Sequence, residues 1–240
     1  MTVRLEIFDD DQWADRVVER WSAFVQENPA ARLCLPTGET PRPVYARSAP
    51  SIDFADATIF LLDEFDLPPG NQARCDEMIS RDFLDLLPQP PAVVHRLDFA
   101  TASLADECRR IEDLVDDGGL DLTLLGLGAN GHLGLNEPGS LRDTPTRVVQ
   151  VAASTATGAH RYGTVERPTR GMTLGLRPIL DSREIWLLVT GSSKASILER
   201  LLNGPIGPEV PASYLRDHPN VTVLADRSAA SALSGGVAEQ

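Results

Sequence analysis

The run Leu120-Asp121-Leu122-Thr123-Leu124-Leu125, followed at once by Gly126-Leu127-Gly128, decides the fold class of this chain. It is a short, β-leaning, largely apolar segment that stops in a glycine-rich turn, as a strand covered on both faces does. Runs of the same kind occur at 4–8, 32–35, 58–62, 93–96, 184–190 and 221–224, and the strand itself is read as 120–125. Longer helical patterns separate them, near 11–28, 42–49, 76–87, 102–116 and 194–202. Such alternation predicts an α/β fold: a doubly wound, mainly parallel sheet with right-handed crossovers and helices on both faces. Residues 1–240 are read as a single domain, a length that α/β units often reach. No repeat of solenoid period interrupts the pattern.

Composition narrows the function. The formal charge is −13, from 35 acidic against 22 basic side chains, so the surface repels nucleic acid and anionic membrane. A phosphorylated ligand would need a positive site that is local and built from few residues. No apolar run approaches the roughly 20 residues of a membrane helix, and the N-terminal MTVRLEIFDDDQW lacks the basic and apolar regions of a signal peptide. Cys34, Cys75 and Cys108 are odd in number and widely spaced, which fits neither a disulfide framework nor a zinc site. These features together predict a cytoplasmic protein.

In doubly wound sheets, ligands bind beyond the carboxyl ends of the strands, so the segments that follow the strands carry the functional reading. After the second comes Leu35-Pro36-Thr37-Gly38-Glu39-Thr40-Pro41. It offers two hydroxyls, a glycine that lets the backbone approach a ligand, and a proline suited to a first helical turn. An anion site and an ordinary strand–helix turn both fit it. After the third comes Asp63, closing an apolar strand where partial desolvation would raise its pKa and strengthen it as a base; a capping aspartate fits as well. After the fifth, three glycines precede His132 and Glu137 follows it by five residues, within Gly126-Leu127-Gly128-Ala129-Asn130-Gly131-His132-Leu133-Gly134-Leu135-Asn136-Glu137-Pro138-Gly139. Imidazole titrates near neutrality, and a carboxylate within reach would orient it. After the sixth, Gly191-Ser192-Ser193-Lys194 opens a helix with a lysine able to meet a phosphate. Arg161 reads, by itself, as a surface arginine.

These loops, in this order from Leu35 to about Asn220, resemble the glucosamine-6-phosphate deaminase and 6-phosphogluconolactonase superfamily. The resemblance is closest to the galactosamine-6-phosphate isomerase (deaminating) branch. It is carried by Leu61, Asp63 and Glu64, by Leu120-Asp121-Leu122, Leu125-Gly126-Leu127-Gly128, Asn130 through Gly139, Thr169-Arg170-Gly171-Met172-Thr173-Leu174-Gly175-Leu176 and Pro211-Ala212-Ser213. The resemblance implies an aldose–ketose isomerase that releases ammonia from a 2-amino-2-deoxyhexose 6-phosphate. In that reading Thr37, Gly38, Glu39, Thr40, Arg161 and Lys194 hold the phosphate. Asp63 moves a proton between C2 and C1, and His132, with Glu137 as its acidic partner and Asn130 beside it, assists ring opening. It also implies no metal and no organic cofactor, a sugar phosphate as the small-molecule partner, and anything from a monomer to a homo-oligomer as large as a hexamer.

Two positions depart from the glucosamine deaminases. Asn130 stands where they commonly carry aspartate, as in the galactosamine branch, which favours the galacto epimer and throws the activation of His132 onto Glu137. Glu39 stands where the phosphate loop usually has a second glycine, and a carboxylate there is compatible with phosphate only if it points away. The chain stops soon after its last strand, so amino-sugar activation of the allosteric hexameric kind is not expected. A lactonase would typically show Thr-Ala-Ser after the Gly-His pair; here Leu133-Gly134-Leu135-Asn136-Glu137-Pro138 follows. A catalytically inert sugar-phosphate sensor is the remaining alternative, and Asn130 alone invites it.

Overall fold

The first helix shows how the pattern becomes structure. Trp13, Val17, Trp21 and Val25 recur every four residues and are all buried, so one stripe of the helix packs inward while its charged residues stay outside. Trp21 is fully buried against Tyr45, Phe54 and Phe83 at ring-centroid distances of 6.0, 4.9 and 5.6 Å. Burial of a side chain of this class stabilises a fold by roughly 1.5–3 kcal/mol.

The structure is a computed structural model that describes residues 3–158 and 166–233. In chain order its elements are β1 (Arg4–Phe8), α1 (Trp13–Glu27), β2 (Arg32–Leu35), α2 (Arg42–Ser48), β3 (Thr58–Leu61), β4 (Asp63–Phe65), α3 (Cys75–Asp82), β5 (Val93–His95), α4 (Leu104–Asp116), β6 (Leu122–Gly126), β7 (Arg147–Gln150), α5 (Ala153–Gly158), β8 (Arg170–Thr173), α6 (Leu176–Leu180), β9 (Glu184–Val189), α7 (Ala195–Asn203) and β10 (Val221–Asp226). All seven predicted strands are present, with ends moved by a residue or two. The helix predicted near 76–87 stops at Asp82. There Phe83 leaves helical geometry with φ −142° to enter the aromatic cluster, and a short 3-10 turn, Leu84–Leu86, follows.

The seven predicted strands form one parallel sheet in the order β1-β10-β9-β6-β2-β3-β5. Because successive side chains on a strand face opposite ways, each strand feeds two cores. Leu33, Leu35, Ile59, Leu61, Leu122 and Leu124 pack with α1 and α2 on one side. Cys34, Phe60, Leu125, Leu187 and Val189 pack with α4, α6 and α7 on the other.

A second sheet, β4-β8-β7, is antiparallel and was not foreseen. Its strands are only three or four residues long, and β7 and β8 each begin with arginine, so no alternating apolar pattern announces them. Its junction with the main sheet is Leu62, whose N–H donates to Leu35 O at 3.1 Å and whose carbonyl accepts from Leu174 N at 2.9 Å. Asp63 thus lies where the chain crosses from one sheet to the other.

Candidate active site

The order of the main sheet reverses between β2 and β6. From β2 the chain runs outward through β3 to β5, and from β6 it runs the other way through β9 and β10. A crevice opens at the carboxyl ends of strands on either side of such a switch point. Here the loops after β9, β6, β2 and β3, four adjacent strands, surround a cleft of about 430 Å³. Thr37, Gly38, Glu39, Thr40, Asp63, His132 and Lys194 all line it. Arg161 lies outside the described residues.

Asp63 lines the cleft at the first position of β4. Burial raises its carboxyl to about 6, although a hydrogen bond from the Cys75 thiol and the nearby His132 act in the opposite direction. Its neighbour Glu64 faces the other way along β4 and is fully buried. The Glu64 carboxylate accepts the backbone N–H groups of Phe65 (2.6 Å), Cys75 (2.8 Å) and Asp76 (3.0 Å), capping the start of α3.

The loop after β6 holds His132 against Glu137, with Nδ1 to Oε2 at 3.3 Å. Its glycines are steric requirements. A Cβ on Gly128 would fall 2.3 Å from the imidazole, and Gly134, at φ +57°, would put one 2.9 Å from Thr173 Oγ1. Burial alone would raise the Glu137 carboxyl. Hydrogen bonds from His132, from Thr155 Oγ1 (2.6 Å) and from Asn130 Nδ2 (2.7 Å), together with the His132 charge, lower it instead to about 2. Asn130 also accepts the His132 backbone N–H at 3.2 Å. An aspartate at 130 would set a second carboxylate against Glu137; the amide donates to it instead.

Beneath this pair Asn136 is fully buried. Its Nδ2 donates to Leu133 O (2.9 Å) and Leu174 O (2.8 Å), and its Oδ1 accepts from Arg147 Nη1 (2.7 Å). The side chain ties the His132 loop to the second sheet. The Glu39 carboxylate is exposed and pairs with Arg42 at 3.2 Å, so it turns over α2 rather than into the loop. Lys194 reaches the cleft rim and donates to Leu127 O at 2.7 Å.

Sequence reading missed the parts played by Thr155, Asn136, Arg147 and Cys75. Asn136 sits inside the motif that carried the family resemblance, yet a motif does not show which polar groups a side chain satisfies. Nothing marks Thr155 or Arg147 before the second sheet is known. Among the described residues no group of three or more His, Cys, Asp or Glu is arranged to hold a metal ion, and no helix is long and apolar enough to cross a membrane.

The family model for glucosamine-6-phosphate isomerases/6-phosphogluconolactonase matches residues 10–224. A glucosamine-6-phosphate deaminase of Rhodopirellula baltica is 39% identical over 96% of this chain and 96% of its own. One of Pseudarthrobacter chlorophenolicus is 39% identical over 88% of this chain and 84% of its own. The structure of a monomeric glucosamine-6-phosphate deaminase superposes with a TM-score of 0.89 at 33% identity, over 97% of this chain and all of that one. A 6-phosphogluconolactonase from Trypanosoma brucei shares the fold, with a TM-score of 0.75 at 18% identity over 97% of this chain and 99% of that one.

Proposed function

The chain belongs to the glucosamine-6-phosphate isomerase/6-phosphogluconolactonase family, and we propose that it is a deaminating isomerase of 2-amino-2-deoxyhexose 6-phosphates. The observation that carries this reading is a single cleft faced by two acid–base groups of different character. Asp63 has a carboxyl raised to about 6, and His132 is paired with a Glu137 held at about 2. Environments that separate the pKa values of neighbouring groups are what divided acid–base work requires.

In this mechanism the phosphate is held at one end by the hydroxyls of Thr37 and Thr40, the backbone of Gly38 and Glu39, Lys194 and Arg161. Its contacts are remote from the reacting carbons and serve to orient the sugar. His132, oriented by Glu137 and Asn130, carries the O1 proton to O5 as the pyranose opens. Asp63, ionised at neutral pH yet more basic than an exposed aspartate, takes the proton from C2. The C2–H electron pair becomes the C1–C2 double bond as O1 takes a proton from water. Returning the proton to C1 leaves an imine at C2, where water replaces nitrogen and ammonia departs, giving the ketose 6-phosphate.

The names of the relatives support glucosamine 6-phosphate as the first substrate to test. Asn130, which had favoured the galacto epimer, engages Glu137 and the His132 backbone with the two ends of its amide. It therefore bears on the catalytic pair more directly than on a sugar hydroxyl. The test is ammonia release from glucosamine 6-phosphate and galactosamine 6-phosphate in parallel, with His132→Ala as control. Release from either, reduced about 10²–10⁴-fold in the variant, supports the proposal, and the ratio of rates assigns the epimer. A folded protein that releases ammonia from neither refutes it and directs attention to lactone hydrolysis.

A further inference from the structure

Cys75 is the first residue of α3, is 1% exposed, and lines the cleft. Its thiol meets two loops at once. Sγ donates to Asp63 Oδ1 at 3.4 Å, and the Thr37 side chain hydrogen-bonds the same sulfur. The backbone around it is fixed independently. The buried Glu64 carboxylate accepts the N–H groups of Cys75 and Asp76 and lies 3.6 Å from Arg74, so the first turn of α3 cannot slide relative to β4. Adjacent residues of one short strand thus act on one helix end, Glu64 gripping its backbone while Asp63 receives its first side chain.

We infer that Cys75 is a positioning residue for Asp63: its S–H, donated to Oδ1, holds the carboxylate in one orientation toward the cleft and favours the ionised form. The inference rests on the proposed function only in treating Asp63 as the base. The other titratable groups that face Asp63 are Cys34 from β2, Tyr45 from α2 and His132 from the loop after β6, while Glu64 follows it on β4. Burial pushes the Cys34 thiol and the Tyr45 phenol far up, so both stay neutral near pH 7. Burial, with Asp63 and Glu64 nearby, does the same for Cys75, which remains a donor and is a poor nucleophile.

The test follows Asp63 directly, by carbonyl-carbon NMR of aspartate-labelled protein across pH, with the resonance assigned by its loss in Asp63→Asn. Removing a hydrogen bond to the charged form in Cys75→Ala is expected to raise the Asp63 midpoint by about one pH unit. Cys75→Ser, whose hydroxyl is a stronger donor than a thiol, is expected to lower it by a few tenths of a unit, on the order of a weak hydrogen bond. The acid limb of kcat/KM for ammonia release should move with it. Unmoved midpoints in both variants, or a Ser variant that rises as far as the Ala variant, would overturn the inference; the Ser variant alone decides if the Ala variant does not fold. The titration needs no substrate. A protein that shows these shifts but releases no ammonia would therefore fault the proposed reaction and leave the positioning role standing.

Discussion

Asp63→Asn is expected to stabilise the protein while destroying its activity. The Asp63 carboxyl is raised from 3.8 to about 6 by burial, and a carboxyl whose folded-state pKa is raised is destabilising only when ionised. The penalty is absent below pH 3.8, grows between 3.8 and 6, and is complete above. A shift of about two units at 1.36 kcal/mol per unit gives about 3 kcal/mol at pH 8 and about half that at pH 5. Water in the open cleft screens the charge, so 3 kcal/mol is an upper bound. Asparagine keeps an oxygen to accept the Cys75 thiol and carries no charge. For a chain of this length, 1 kcal/mol corresponds to roughly 2–4 °C in Tm. Thermal melts of the variant and the natural protein should therefore diverge by at most about 6–12 °C at pH 8, and by about half as much at pH 5. Ammonia release should fall by at least about 10²-fold, the low end for loss of a general base. A variant whose Tm equals that of the natural protein at both pH values, or is lowered equally at both, would refute the claim that desolvation tunes this carboxylate. Retained activity would refute its assignment as the base.

Other outcomes follow from the loop after β6. In Gly128→Ala the new Cβ would lie 2.3 Å from the His132 ring; the ring can swing aside, so kcat/KM is expected to drop about 100-fold while Tm stays close to that of the natural protein. Asn136→Ala removes the donors to Leu133 O and Leu174 O and the acceptor for Arg147. A loss of about 2–4 kcal/mol in urea unfolding is expected from those stranded buried groups; a loss below about 1 kcal/mol would show that water replaces the contacts.

The sequence by itself determined the parallel sheet, because several of its strands are continuously apolar, as strands covered on both faces are, and strand and helix patterns alternate along the chain. It also placed Asp63 at a strand's end and His132 and Glu137 in the loop after another, since the rule that ligands bind at carboxyl ends depends only on strand order and direction. Tertiary structure alone decided how these groups behave. The raised carboxyl of Asp63 depends on burial at the start of a second sheet whose strands are too short and too polar to carry a pattern of their own. Glu137 is lowered by His132 first and then by Thr155 and Asn130, residues 18 and 7 positions away whose approach is fixed by folding. Glu39 reads in the sequence as a carboxylate beside a phosphate loop, and only the position of Arg42 on α2 turns it aside. Side-chain period and strand order are local properties that a sequence states openly. A pKa depends on which distant side chains and how much water surround a group, and only the folded chain fixes those.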